Sequence, residues 1–167
     1  MTRAPKGYSP AQIALHWIGA AALVAAFVSH DSMLAALRAL REGAYSGPDA
    51  GVLTHVIAGL AVLALALWRL SLRARRGAPP PPADEPSLAR ALARATHVAL
   101  HALMIALPVT GAAAWFGGLR LAGEIHGEAL KPILLIAVAL HVAGALHHGL
   151  WLRSGVAARM FRPDRAR

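Results

Sequence analysis

Cysteine is absent from this chain. Its absence excludes disulfides, iron–sulfur clusters, thiolate-ligated haem and the covalent c-type attachment of haem. Acid is scarce as well: eight Asp and Glu stand against 17 Lys and Arg and nine His. None of the eight falls inside the long apolar runs described below, which argues against a metal-ion transporter lined by buried carboxylates. No internal repeat is visible, and an ordinary soluble domain does not carry 57% hydrophobic residues at a mean hydropathy of +0.51.

What the chain does have is four apolar stretches, over 11–29, 52–72, 95–116 and 132–152. Each is about 20 residues, the length that a helix rising 1.5 Å per residue needs to cross some 30 Å of hydrocarbon. The first run has no small-residue cleavage site, and His16-Trp17 interrupts its apolar core, so it reads as a retained helix rather than a signal peptide. The expected fold is therefore all-α, an integral-membrane four-helix bundle in one domain, 1–167. With four spans, both termini and the middle loop share a side. That side holds 13 of the 17 basic residues, which places both termini in the cytoplasm by the positive-inside rule. A basic rim facing anionic lipid explains the net charge of +9, so no nucleic-acid partner is expected.

The stretch 77–86, Gly-Ala-Pro-Pro-Pro-Pro-Ala-Asp-Glu-Pro, cannot be helix interior and reads as an extended spacer between the second and third helices. Ser87 is the expected N-cap of the helix that follows. On the other side, 30–51 and 117–127 read as loops, with His30 solvated.

Histidine placement is the most informative feature. An ionisable side chain at membrane depth is costly and is by default a functional signal, and neutral imidazole is a common metal ligand. Helix rise puts His16 and His141 near the cytoplasmic face, and His55 and His126 near the outer one. Two layers of paired imidazoles match what six-coordinate, electron-transferring haem requires. His97 and His101 share one helix face at i and i+4. Gly59, one turn after His55, and Gly144, one turn after His141, leave room for a flat macrocycle. Arg69 and Arg73 can pair bidentately with haem propionates.

Several residues together resemble the bacterial cytochrome b561 family, the small di-haem b-type cytochromes of the cytoplasmic membrane. They are Tyr8-Ser9 before His16-Trp17, His55-x3-Gly59, Arg69-x3-Arg73 and the Pro-rich loop before His97. Ala106-Leu107-Pro108-Val109-x-Gly111 follows, then Glu124-Ile125-His126, Leu140-His141, His148 and Val156-x2-Arg159-Met160. The resemblance runs in order along nearly the whole chain. It implies two haem b groups, an inner one on His16 and His141 and an outer one on His55 and His126. It also implies electron exchange with a ubiquinone-type membrane quinone and, in one branch, oxidation of superoxide on the outer side. The electron donor is then superoxide or a redox protein. Low-spin bis-His iron leaves no open position, so superoxide chemistry there is outer-sphere. Arg120 and Lys131 are the cations placed to attract such an anion, opposed by Glu124 and Glu128. His148 and His101 are the candidate hydrogen-bond donors to quinone. The alternative is a membrane cytochrome b subunit of a larger dehydrogenase or hydrogenase complex.

The chain departs from the family pattern at three places. The His126–His141 interval is one residue longer and contains Pro132; on a continuous helix the two His differ by only about 60°, whereas a break at Pro132 makes His126 the least secure ligand. His101 replaces a Tyr, and His147-His148 is shifted by one.

Overall fold

The computed structural model describes Pro5 and residues 7–164; Arg3, Lys6, Arg165 and Arg167 of the basic tally lie outside the described residues. Five helices follow in order: α1 (Pro10–Val28), α2 (His30–Arg41), α3 (Ala50–Arg76), α4 (Ser87–Trp115) and α5 (Arg120–Trp151). All but α2 are long and apolar enough to cross a membrane.

Local chemistry sets the boundaries. Ser9 and Gln12 form a capping box at the start of α1, with Pro10 in the first turn, where its missing N–H costs nothing. Asp49 caps α3 by accepting from the Val52 amide at 2.7 Å. Arg73, Arg75 and Arg76 sit at the negative end of its dipole, and Gly77 ends it at φ 78°. Pro86, not Ser87, occupies the cap position of α4, and no side chain bonds there.

Two regions differ from the sequence expectation. Residues 30–41 are not loop but the amphipathic helix α2, packed along α3 with Ala36 buried. The fourth spanning helix starts at Arg120 rather than at 132, so His126 lies inside it. Pro132 does not break that helix. The turn before it, Ile125–Leu130, is wound with i→i+5 bonds, the Lys131 amide donating to the His126 carbonyl. Such a π turn is wider than an α turn and takes up one extra residue, which accommodates both the proline and the longer interval. A second π turn, His147–Trp151, coincides with the shifted histidine pair; there the Leu152 amide donates to His147 O at 3.0 Å.

The core is confined to the middle of the bundle. Val62 and Ala66 of α3 pack on Met104, while Leu103 and Leu107 of α4 pack on Leu134 and Ala137 of α5. Many large apolar side chains point outward instead, among them Val24, Ile57, Val98 and Ile136. Such a surface is unfavourable in water and neutral in lipid.

Both described chain ends meet at one end of the bundle, called here the terminal end. The Asp164 amide donates to Tyr8 O at 2.9 Å, and the Trp17 indole donates to Met160 O at 2.9 Å. The Pro-rich linker docks against the same end. Gln12 Nε2 donates to Gly77 O at 3.1 Å, and Arg159 donates to Pro80 O at 2.8 Å. The opposite, loop end carries α2.

Candidate functional site

At the loop end, His55 of α3 faces His126 of α5 with ring centroids 6.2 Å apart. Each ring is oriented through Nδ1. His55 donates to Ala26 O at 2.7 Å, a carbonyl in the last turn of α1 that also accepts from the Ser29 hydroxyl at 3.3 Å. His126 donates to Leu107 O at 2.8 Å. An Nδ1–H committed to a carbonyl fixes the tautomer and leaves Nε2 with its lone pair, the state a metal ligand needs.

Gly111 makes this placement possible. A Cβ at that position lies 3.0 Å from His126 Cε1 and 3.1 Å from its Nδ1, tighter than ordinary van der Waals contact. The Gly111 in the Leu107-Pro108-Val109-x-Gly111 motif is thus a seat for the His126 ring.

His30 is not solvated. Its ring lies 6.0 Å from that of His55, and its Nε2 accepts from Lys131 Nζ at 2.9 Å. Burial first, and Lys131 second, hold its pKa below the ordinary imidazole value, consistent with a neutral ring whose Nε2 accepts. Of the two cations expected to attract an anion here, Lys131 is engaged with His30. Arg120 is paired with Glu124 at 2.8 Å on the exposed surface.

At the terminal end, His16 of α1 faces His141 of α5 at 6.0 Å. Among the described residues, His16 Nδ1 is the one buried side-chain nitrogen or oxygen without a hydrogen-bond partner. His97 packs edge-on against His141 at 5.1 Å, a third imidazole in this layer that the sequence did not assign. Its spacing with His101 was the available signal. Arg69, Arg73, His101, Tyr8 and Met160 line the same cavity as His16, His97 and His141. His101 donates Nδ1–H to His97 O at 2.7 Å. Its Nε2 is therefore an acceptor, not the donor to quinone expected from the sequence. His148 lies outside this cavity lining and is bound at both nitrogens, by Ser154 Oγ at 3.0 Å and Glu85 Oε1 at 3.3 Å.

The residues fit haem. A metal–imidazole bond is about 2 Å and the ring centre lies roughly 1 Å further, so two imidazoles on opposite sides of one ion hold their centres about 6 Å apart. Both facing pairs meet that spacing, at 6.0 and 6.2 Å. His30–His55 and His147–His148 have similar spacings, 6.0 and 6.1 Å. In those pairs His30 Nε2 and both His148 nitrogens are already taken. Gly59 and Gly144 both open onto free space, where an added Cβ meets nothing within 4 Å. Among the described residues no group of three or more His, Asp or Glu is placed to hold a bare metal ion.

Comparison with known proteins shows the family. The family model described as prokaryotic cytochrome b561 matches residues 7–163. A protein named cytochrome b562 from Cereibacter sphaeroides is 33% identical over 166 residues, covering 98% of this chain and 99% of that relative. No solved structure matches the chain.

Proposed function

The chain belongs to the prokaryotic cytochrome b561 family, and we propose that within it this membrane b-type cytochrome holds two haems and relays single electrons between a donor at the loop end and membrane quinone at the terminal end. The observation that carries this reading is the pair of facing histidine couples, His55–His126 and His16–His141, near 6 Å apart at opposite ends of one bundle. When bound, each haem supplies a one-electron ferric–ferrous couple at low-spin iron.

The chain's own residues hold and tune that couple. Nδ1 bonds to Ala26 O and Leu107 O hold the loop-end imidazoles in the ligating tautomer. Arg69 and Arg73 offer guanidinium forks to propionates beside His16 and His141. Val62, Ala66 and Met104 pack together in the apolar core between the two couples. His101 Nε2 is free to accept a hydrogen bond from a quinol hydroxyl in the same cavity.

At the loop end Lys131 keeps its charge while bonded to the neutral His30 ring, and superoxide is the small anionic donor it favours, reacting outer-sphere. The basic excess at the terminal end supports a cytoplasmic orientation for that end in a bacterial inner membrane. The test is anaerobic reduction of the purified protein with a superoxide source and then a short-chain ubiquinone, followed at the haem Soret band. Reduction by the first and reoxidation by the second are expected. Failure of both steps, with full haem content, would point to a subunit that works only within a larger complex.

A further inference from the structure

Lys131 and His30 meet from elements far apart in the chain. Lys131 directly follows the π turn of α5, and its amide donates to the His126 carbonyl. Its Nζ donates to His30 Nε2 at 2.9 Å, across 101 positions. His30 begins α2, and its ring centre lies 6.0 Å from that of His55. These two spans, with the size of the ring, put the ammonium within about 10 Å of the His55 ring centre. A cation is thus tied by its backbone to one member of the loop-end couple and by its side chain to a neighbour of the other.

What distinguishes this lysine is its acceptor. A lysine at a membrane interface has a flexible stem and ordinarily extends toward lipid headgroups. A carboxylate would hold it but cancel its charge, as Glu124 does for Arg120 at 2.8 Å. A neutral imidazole holds it and leaves the charge whole. An ammonium bond needs a lone pair, so His30 Nε2 carries no proton. Asp31 and Glu128, the acids nearest the two partners in sequence, are both exposed. Among the described residues no carboxylate lies within ion-pair distance of Lys131. Docking α2 does not call for the bond either, because α2 packs chiefly against α3.

We propose that His30 is a positioning residue that fixes Lys131 as an uncancelled positive charge beside the loop-end couple, where it favours reduced iron and draws in a small anionic electron donor. Ferric iron carries one more positive charge than ferrous iron, so a fixed cation nearby raises the reduction potential at that couple. The second effect rests on the superoxide reading above. Superoxide gives one electron to ferric iron and leaves as neutral dioxygen, which the lysine charge does not retain. No bond to the protein forms or breaks, and no proton moves.

The test measures two quantities in full-length, haem-loaded protein carrying His30→Ala, His30→Gln, Lys131→Gln, or His30→Ala with Lys131→Gln. One is the midpoint potential of each haem, and the other is the rate of reduction by superoxide at low ionic strength. In His30→Ala the loop-end potential is expected to fall while the terminal-end potential stays. The superoxide rate is expected to drop about threefold, as in Lys131→Gln. The doubly substituted protein is expected to lose no more than Lys131→Gln alone. His30→Gln, whose amide oxygen still accepts from a lysine, is expected to retain both values. Unchanged potentials and superoxide rate in His30→Ala, losses in His30→Gln equal to those in His30→Ala, or losses that multiply in the double variant would overturn the proposal. Wild-type protein that superoxide does not reduce would overturn the superoxide reading instead, and the potential shift alone would then decide the role of His30.

Discussion

At the scale of single residues, the site depends on what happens at Nδ1. A hydrogen bond from its second nitrogen fixes a ligating histidine's tautomer and orientation. At the loop end His55 and His126 each find a backbone carbonyl on a neighbouring helix for that purpose, whereas His16 Nδ1 at the terminal end has no such partner. Replacing His55 or His16 with Ala is expected to lower haem to about one per chain while the other couple stays low-spin, measured by pyridine haemochrome. Gly111→Ala is expected to weaken haem binding at the loop-end couple alone, because its Cβ would stand 3.0 Å from His126 Cε1 and push the ring by a few tenths of an ångström. Lys131→Gln is expected to slow reduction by superoxide about threefold and flatten its salt dependence. The four facing histidines were legible from depth along the helices. His30 was not, because its role comes from a contact with Lys131, 101 positions away.

At the scale of elements, hydrogen-bond register decided what the sequence left open. Pro132 and the long interval after His126 left a break and a continuous helix both open, and the π turn over Ile125–Leu130 is how the continuous helix accommodates them. Apolar patterning cannot reveal such a turn, since it changes acceptors rather than side chains. The helix α2 was hidden for a different reason. Its run Met33-Leu34-Ala35-Ala36-Leu37 is too short to signal a span, and its packing is chiefly against α3. The two helices approach so closely that a Cβ at Gly51 overlaps Ser32 Oγ. Gly51→Ala is therefore expected to undock α2 and cost about 1–3 kcal/mol, as overpacking generally does. A lowered thermal midpoint in detergent, with His30 newly accessible to diethyl pyrocarbonate, would show it. The Pro-rich linker was read only as a spacer, yet it is bonded to α1, to α5 and to the segment after α5. Proline explains its extension but carries no sign of its partners.

At the scale of the whole molecule, apolar length and charge asymmetry were enough to read a four-helix membrane bundle. Its bare outer surface and narrow core follow from lipid taking the place of protein neighbours. Four helices in sequence bring the described chain ends and the linker to one end, and the same topology puts one histidine couple at each end. The central claim is that both couples are filled by haem. The most direct measurement is a reduced-minus-oxidised visible spectrum of the purified protein, with haem counted per chain. Two low-spin b haems per chain are predicted, each lost separately in the His16→Ala and His55→Ala variants. A single haem, or high-spin iron in either place, would contradict the account.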